Sequence, residues 1–381
     1  MKMYMNLAQK INDDYYHPEV KLETNLLESS PIYLGCNIWR ESLLEKMMDL
    51  NTDKFFLITD DVVYNLFGKE LLEYMNRKVS VKLIKLPSGE KHKNIKVFND
   101  LMEDLFDNNV TKSSILISLG GGVVGNITGL AAALAFRGIR FFHIPTTFMS
   151  QTDSILSRKQ GINSFYGKNM IGSYYTPLFN FIDTSFLTFD SERFIRGSFV
   201  ETVKNGFIYN ADFLNKLKSV IKNDFNVNQE GIFNLVKMSI ESKLPIMKAD
   251  PTEKGLAMIL EYGHTVGHAI EKLSYGKLSH GESVSIGMMV AARVSEKLGY
   301  LSKQDVKEHL DILSALKTPT KIPSNIKISD IINKIKLDNK KDMNGIRFVV
   351  LESIGKCINT DGSYMIKVPF NIINEAIEET C

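Results

Sequence analysis

Cysteine is scarce in this chain. Its three residues, Cys36, Cys357 and Cys381, are odd in number and far apart, which excludes a disulfide framework and a thiolate metal site. Charge of one sign is also lacking: the net charge of +2 gives no general attraction for nucleic acid or for an anionic membrane surface. No uninterrupted apolar run approaches the roughly 18 residues that span a bilayer. Met1-Lys-Met-Tyr-Met-Asn6 meets polar residues at once and lacks the apolar core of a secretory signal, so a cytoplasmic protein is expected. Internal repeats and low-complexity segments are missing too. What remains is an ordinary globular composition, 44% hydrophobic and 24% charged, and the 381 residues suggest two domains of roughly 150 residues or more.

The first half alternates short apolar runs with helical segments. Lys54–Asp60, Val79–Leu86, Ser114–Leu119 and Phe141–Ile144 read as strands, and Ile127–Phe136 as a helix between the last two. That order predicts a parallel α/β domain over residues 1–192. From Glu192 the pattern changes to long amphipathic segments, Phe213–Ile221, Ile232–Met247, Gly255–Leu273 and Glu282–Leu298, so residues 193–381 are expected to be mostly helical.

The most informative stretch is Glu261-Tyr-Gly-His264-Thr-Val-Gly-His268-Ala-Ile-Glu271, followed by Ser279-His280-Gly-Glu282. Four-residue spacing puts His264 and His268 on one helix face, and Glu261, three residues earlier, is expected on the same side. His280 follows a short loop, where a second apolar helix begins. Two imidazoles with a nearby carboxylate suit a divalent cation such as Zn2+ with one position left for substrate; the alternative is a set of histidines that merely cap or pack helices.

Gly120, Gly122 and Gly125 fit G-x-G-x-x-G between a strand and a helix, where bare backbone approaches a pyrophosphate. The alternative is a tight turn and nothing more. No acid ends the following strand to hold a ribose, which leaves Asp60, on an earlier strand, for that task. A glycine-bearing loop at 153–169 carries Asp153, Lys159, Asn163, Lys168 and Asn169, suited either to phosphate and sugar hydroxyls or to plain solvation. Glu201 and Lys204, three apart on an expected helix Phe199–Ile208, read equally as a surface ion pair. Lys243 and Asp338-Asn-Lys340-Lys341 have the same bland reading, solvated charge.

Taken together, Gly120-Gly-Gly-Val-Val-Gly-Asn126, Pro145-Thr-Thr147, Gly167-Lys-Asn-Met-Ile-Gly172, Glu201-Thr-Val-Lys204-Asn205, Gly263-His-Thr-Val-Gly-His-Ala-Ile-Glu271 and His280-Gly-Glu282 resemble the sugar phosphate cyclase superfamily, whose best known members are the dehydroquinate synthases. The resemblance covers roughly residues 30–360 and keeps the order and spacing of the motifs. It implies an N-terminal Rossmann-like NAD domain and a helical metal-binding domain, the dehydroquinate synthase-like fold.

Departures inside the motifs point to a branch. Dehydroquinate synthases carry an arginine seven residues before the first motif histidine and an asparagine three before it; here these are Ala257 and Glu261. A guanidinium clamps the substrate carboxylate in that enzyme, so alanine with an added glutamate is poor chemistry for an acid. Glu261-Tyr-Gly-His264, Gly125-Asn126, Lys159-Gln160 and Val203-Lys-Asn205 instead resemble the 2-deoxy-scyllo-inosose synthase branch, whose substrate is glucose 6-phosphate.

That resemblance implies a homodimeric enzyme acting on a small sugar phosphate, with NAD and a divalent metal, Zn or Co, as cofactors. By family position Glu201, His264 and His280 are the metal ligands and Glu261 the base. Lys159, Lys204 and His268 join the catalytic set; Asn169, Lys243 and Lys340 bind substrate, and Arg137 reaches the neighbouring subunit's phosphate. Asp60, Gly121, Gly122, Thr146, Thr147, Asp153 and Lys168 fall on NAD-contacting positions. Two other classes are weighed against this: a metal-dependent polyol dehydrogenase on a related fold, and a non-catalytic paralogue that binds a partner enzyme.

Overall fold

Continuous apolar runs in the first half of the chain become strands buried on both faces. The computed structural model describes residues 19–22, 30–338 and 346–381. Among the described residues of the first half there are nine strands: β1 (Glu19–Leu22), β2 (Ile32–Gly35), β3 (Phe55–Asp60), β4 (Val81–Leu86), β5 (Ile115–Gly120), β6 (Arg140–Pro145), β7 (Lys159–Ser164), β8 (Gly167–Tyr174) and β9 (Asn180–Asp183). Seven of them form one sheet in the order β1-β2-β9-β6-β5-β3-β4, parallel throughout except for β1 against β2. Phe55, Leu57, Ile115 and Ile117 pack on one face, and Phe56, Ile58 and Leu116 on the other. A parallel sheet covered on both sides needs this run of apolar residues rather than alternation.

From β3 the chain turns outward to β4, then crosses back to place β5 on the opposite side of β3. The strand order therefore reverses between β3 and β5. In open α/β sheets the crevice outside the carboxyl ends at such a point is where ligands bind. Asp60 ends β3, Gly120 ends β5 and Pro145 ends β6, so the motifs read from sequence lie along that edge.

The stretch 153–169, expected as a loop, is largely structured. β7 and β8 pair as an antiparallel hairpin from Lys159↔Tyr174 to Ser164↔Gly167. Almost every residue of β8 is solvent-exposed, so it lacks the apolar alternation that betrays a strand. Close backbone pairing sets its glycines: a Cβ on Gly172 would lie 2.2 Å from the Gln160 carbonyl.

Cα packing assigns residues up to Asp190, together with Asn228–Lys237, to one compact unit, and Ser191–Val227 with Met238–Cys381 to a second. The second is mainly helical, with two small antiparallel pairs, Ile346–Phe348 with Ile366–Val368 and Leu351–Ser353 with Lys356–Cys357. Its core gathers Val266, Ile270, Ile286 and Val290 against Ile331, Phe348 and Ile373. No helix among the described residues is long and apolar enough to cross a membrane.

Three helices matter most here: Glu192–Tyr209, His264–Leu273 and His280–Lys297. They meet at glycine contacts that admit no side chain. A Cβ on Gly281 would sit 1.8 Å from the Gly197 carbonyl oxygen, and one on Gly287 would sit 2.0 Å from that of Gly263. The expected single helix over Gly255–Leu273 is not formed. A 3-10 turn over Leu256–Glu261 stops at Tyr262, and Gly263 takes φ +77 before the His264 helix begins. Only glycine enters that left-handed region cheaply, and Gly263 also presses against the His280 helix. Glu261 is therefore not on the helix face that carries His264 and His268, contrary to the spacing argument.

Candidate active site

In the second unit the close helices bring Glu201, His264, His268 and His280 together. Ser279 caps the His280 helix in a capping box with Glu282, whose carboxylate takes two hydrogen bonds from Arg193, 2.6 Å from Nε and 3.1 Å from Nη2. This fixes the helix start, and so the first-turn position of His280. Glu201 Oε1 faces both imidazoles, 3.5 Å from His264 Nε2 and 3.3 Å from His280 Nε2. The outer nitrogens are committed elsewhere: His264 Nδ1 lies 3.1 Å from the Tyr262 carbonyl and His280 Nδ1 lies 3.0 Å from Glu271 Oε2. Both acceptors favour a proton on Nδ1, which leaves each Nε2 lone pair pointing at the glutamate, a tautomer inferred from partners.

Lone pairs on two imidazoles and a carboxylate cannot converge without a proton or a cation among them. Glu201 Oε1 is buried and has no hydrogen-bond partner. A carbonyl or a carboxylate behind each ligand histidine is the usual outer support of a metal site. The donor set of one carboxylate and two imidazoles thus fits a divalent cation, and Zn2+ and Co2+ equally. His268 lies close as well: one nitrogen from each of His264, His268 and His280 falls within 4.8 Å of the others.

Without a cation, a proton takes its place among these groups, on His280. Burial pushes the Glu201 carboxyl up, but Lys204 and the two imidazoles hold it well below the usual carboxylate range. Burial, then Lys204, pulls His264 down to about 4. Burial and the charge of His280 lower His268. Burial pulls His280 down, yet the Glu201 and Glu271 carboxylates that face its two nitrogens outweigh it and raise the group to about 10.

Glu201 and Lys204 are not a surface pair, the bland reading of their spacing. They are 4% and 2% exposed, joined directly, and Lys204 Nζ donates to the Leu260 carbonyl at 2.6 Å. Lys243 is buried too, rather than solvated. Glu261 is half-buried at the end of its 3-10 turn. Lys340 lies outside the described residues.

In the first unit, Gly121 is the N-cap of the helix Gly122–Leu134, and no side chain caps that helix. Its first backbone N–H groups therefore lack intrahelical partners, as a pyrophosphate site requires. A Cβ on Gly121 would come within 3.2 Å of the Thr147 side chain, a tight contact. Thr146 Oγ1 beside it is buried without a hydrogen-bond partner, and Thr147 caps the next short helix. Asp60 Oδ1 accepts from Val62 N, Val63 N and Ser88 Oγ, each at 2.9 Å, which holds the carboxylate at the edge where the strand order reverses. Asp153 follows the short helix after Thr147, Lys159 begins β7, and Lys168 and Asn169 lie on β8. These features suit a dinucleotide.

Arg137 is exposed in a tight turn, at φ +67 between Phe136 at +51 and Gly138 at +127. Non-glycine residues in that region mark a constrained position. Sequence reasoning missed Lys93. It is buried, and its Nζ donates to Asn126 Oδ1 at 2.6 Å and to Asn169 Oδ1 at 2.5 Å. Burial lowers its pKa to about 8. Lys93 sits in the charged run Gly89-Glu-Lys-His-Lys93, which looks like surface, and only its partners on the hairpin and on the Gly122–Leu134 helix reveal it. Glu271 was read as part of a motif but not as a support for His280.

A family model described as 3-dehydroquinate synthase N-terminal matches residues 83–196, and one described as 3-dehydroquinate synthase C-terminal matches 198–341. The chain belongs to the 3-dehydroquinate synthase family. Within this family it is 33% identical to a 2-deoxy-scyllo-inosose synthase of Streptomyces kanamyceticus, over 89% of this chain and 88% of that protein. It is also 32% identical to a 3-dehydroquinate synthase of Vibrio atlanticus, over 94% and 98%. A solved 2-deoxy-scyllo-inosose synthase, complexed with carbaglucose-6-phosphate, NAD+ and Co2+, superposes with TM-score 0.87 at 27% identity, covering 95% of this chain and 100% of that one. The family and the fold expected from the motifs are borne out.

Proposed function

We propose that this protein converts glucose 6-phosphate to 2-deoxy-scyllo-inosose and phosphate, as a cytoplasmic, homodimeric sugar phosphate cyclase. Overall identity does not choose the branch, since a dehydroquinate synthase and an inosose synthase score almost alike. The observation that carries the choice is the pair Ala257 and Glu261. Ala257 is 2% exposed, and its N–H donates at 3.0 Å to Asp250 Oδ2, so this position offers a substrate carboxylate no cation.

When bound, NAD+ would supply reversible hydride acceptance at C4 of the sugar, and the divalent cation would supply Lewis acidity toward the sugar oxygens. Glu201, His264 and His280 hold that cation. Glu261 removes the C5 proton, made acidic by oxidation at C4, so that phosphate leaves from C6. Lys204, locked to Glu201 and Leu260 O, keeps the ligand carboxylate ionised and oriented. His268 and Lys159 move protons at the sugar oxygens during elimination, ring opening and aldol closure. Asn169, steadied by Lys93, joins Lys243 and Lys340 in binding substrate, and Arg137 serves the neighbouring subunit's phosphate. Asp60, Gly121, Gly122, Thr146, Thr147, Asp153 and Lys168 hold NAD.

Purified protein supplied with NAD+, Co2+ and glucose 6-phosphate is expected to release phosphate and a carbocycle with no net rise in NADH absorbance. Steady NADH accumulation would assign a polyol dehydrogenase instead. Binding of these ligands with no turnover would leave a non-catalytic paralogue.

A further inference from the structure

Three residues of the segment Leu260–His264 either belong to the cluster around Glu201 or contact it directly. The Leu260 carbonyl receives Lys204, the Tyr262 carbonyl receives His264 Nδ1, and His264 is itself a ligand. Glu261 lies between them, and Gly263 supplies the left-handed turn. One side chain of the segment points away from this chemistry. Tyr262 is fully buried, and its hydroxyl lies 3.0 Å from Nε2 of His309, which is also fully buried.

His309 belongs to the helix Lys303–Ala315, which bears no residue of the site. Its Nδ1 lies 2.8 Å from the Asp305 carbonyl, one turn back. That acceptor puts the imidazole proton on Nδ1 and leaves Nε2 to accept the Tyr262 hydroxyl. The ring also stacks on Phe207, with centroids 3.7 Å apart and planes at 13°. Phe207 lies on the same helix as Glu201. One buried imidazole thus contacts both the helix that carries one ligand and the turn that carries another. Packing alone needs no such polar pair, since phenylalanine and leucine would fill the space without desolvating a hydroxyl and a ring nitrogen. What the hydrogen bond adds is direction.

We propose that His309 is a positioning residue for the metal centre, acting through the Tyr262 hydroxyl to fix the Leu260–Gly263 turn and the carbonyl that orients His264. The inference rests on the metal reading of Glu201, His264 and His280. Support behind a ligand histidine typically sets metal affinity by roughly 10- to 100-fold, and this support stands one step further out, so a loss of about tenfold is expected.

The test is Co2+ titration of the full-length protein, following both the dissociation constant and the visible d–d band of the bound ion. Tyr262→Phe, nearly isosteric, and His309→Leu should each weaken Co2+ binding about tenfold and shift the band. The double variant should be no weaker than either single one, because both remove the same bond. His309→Gln places an amide oxygen near the former Nε2 and should recover most of the affinity. If Tyr262→Phe and His309→Leu lowered thermal stability but left affinity and band unchanged, the pair would be plain packing and the proposal overturned. Wild-type protein that bound no Co2+ would instead overturn the metal reading beneath it.

Discussion

Replacing Glu201 by glutamine removes a negative charge from the point where Lys204 and two imidazoles converge. In metal-free protein the main cost falls on Lys204, which is 2% exposed and keeps only neutral oxygens, the Leu260 carbonyl and the new amide. Stranding one member of a buried ion pair costs about 3–5 kcal/mol. The two remaining acceptors favour the lower end, so ~3 kcal/mol is expected, roughly a hundredfold in the folding equilibrium. Metal widens the gap. A cation present at a thousand times its dissociation constant stabilises the folded wild type by about 4 kcal/mol, whereas the variant has lost the anionic ligand and gains little. Urea unfolding in chelator and in excess Zn2+ measures both terms. The double variant Glu201→Gln, Lys204→Met removes both charges, and should regain most of the stability lost in chelator while still not responding to Zn2+. A single variant as stable as wild type in chelator would refute the argument about the buried pair. One with the full wild-type gain in Zn2+ would refute Glu201 as a ligand, leaving the three histidines to hold the ion.

Glu261→Gln should bind NAD+, metal and substrate yet turn over ~100- to 10,000-fold more slowly, the usual cost of losing a general base; stopped-flow absorbance should show enzyme-bound NADH building up without phosphate release, and wild-type phosphate release would reject the base. His143 and His309 are held by burial to about 3 and about 4. Because these folded values lie below the unfolded histidine value of about 6.5, the unfolded chain binds the extra protons, and stability falls as pH drops below that value. The two groups should cost ~2 kcal/mol each at pH 5, read as a fall in urea midpoint between pH 7 and pH 5; an unchanged midpoint would contradict it. Mixing Arg137→Ala protein with Glu261→Gln protein should restore part of the activity through hybrid dimers, and no recovery despite subunit exchange would place Arg137 within its own chain's site.

The strands were legible because Phe55–Ile58 and Ile115–Ile117 are short apolar runs followed within a few residues by Asp60 and Gly120. The histidine constellation was legible from the spacing of His264 and His268 and from His280 at the start of the apolar helix that follows. The break at Gly263 was not, because its cause lies in the approach of Gly287 on another helix. Local spacing therefore put Glu261 on a helix face it does not share. The β7–β8 hairpin was hidden by an exposed strand rich in glycine, lysine and asparagine. The burial of Glu201, Lys204 and Lys93 was equally invisible, since a charged pair three residues apart looks the same on a surface as in a core. Polar residues announce their type in sequence, but their partners come from tertiary contacts.

The most direct test of the central claim is the ratio of kcat/KM for glucose 6-phosphate to that for the seven-carbon keto-acid phosphate used by dehydroquinate synthases, measured on one preparation with NAD+ and Co2+. Ala257 gives that acid no cation to bind, and Glu261 sets a negative charge near the motif, so glucose 6-phosphate should be preferred by at least ~100-fold, about 3 kcal/mol in transition-state binding. Preference for the seven-carbon acid would contradict the account.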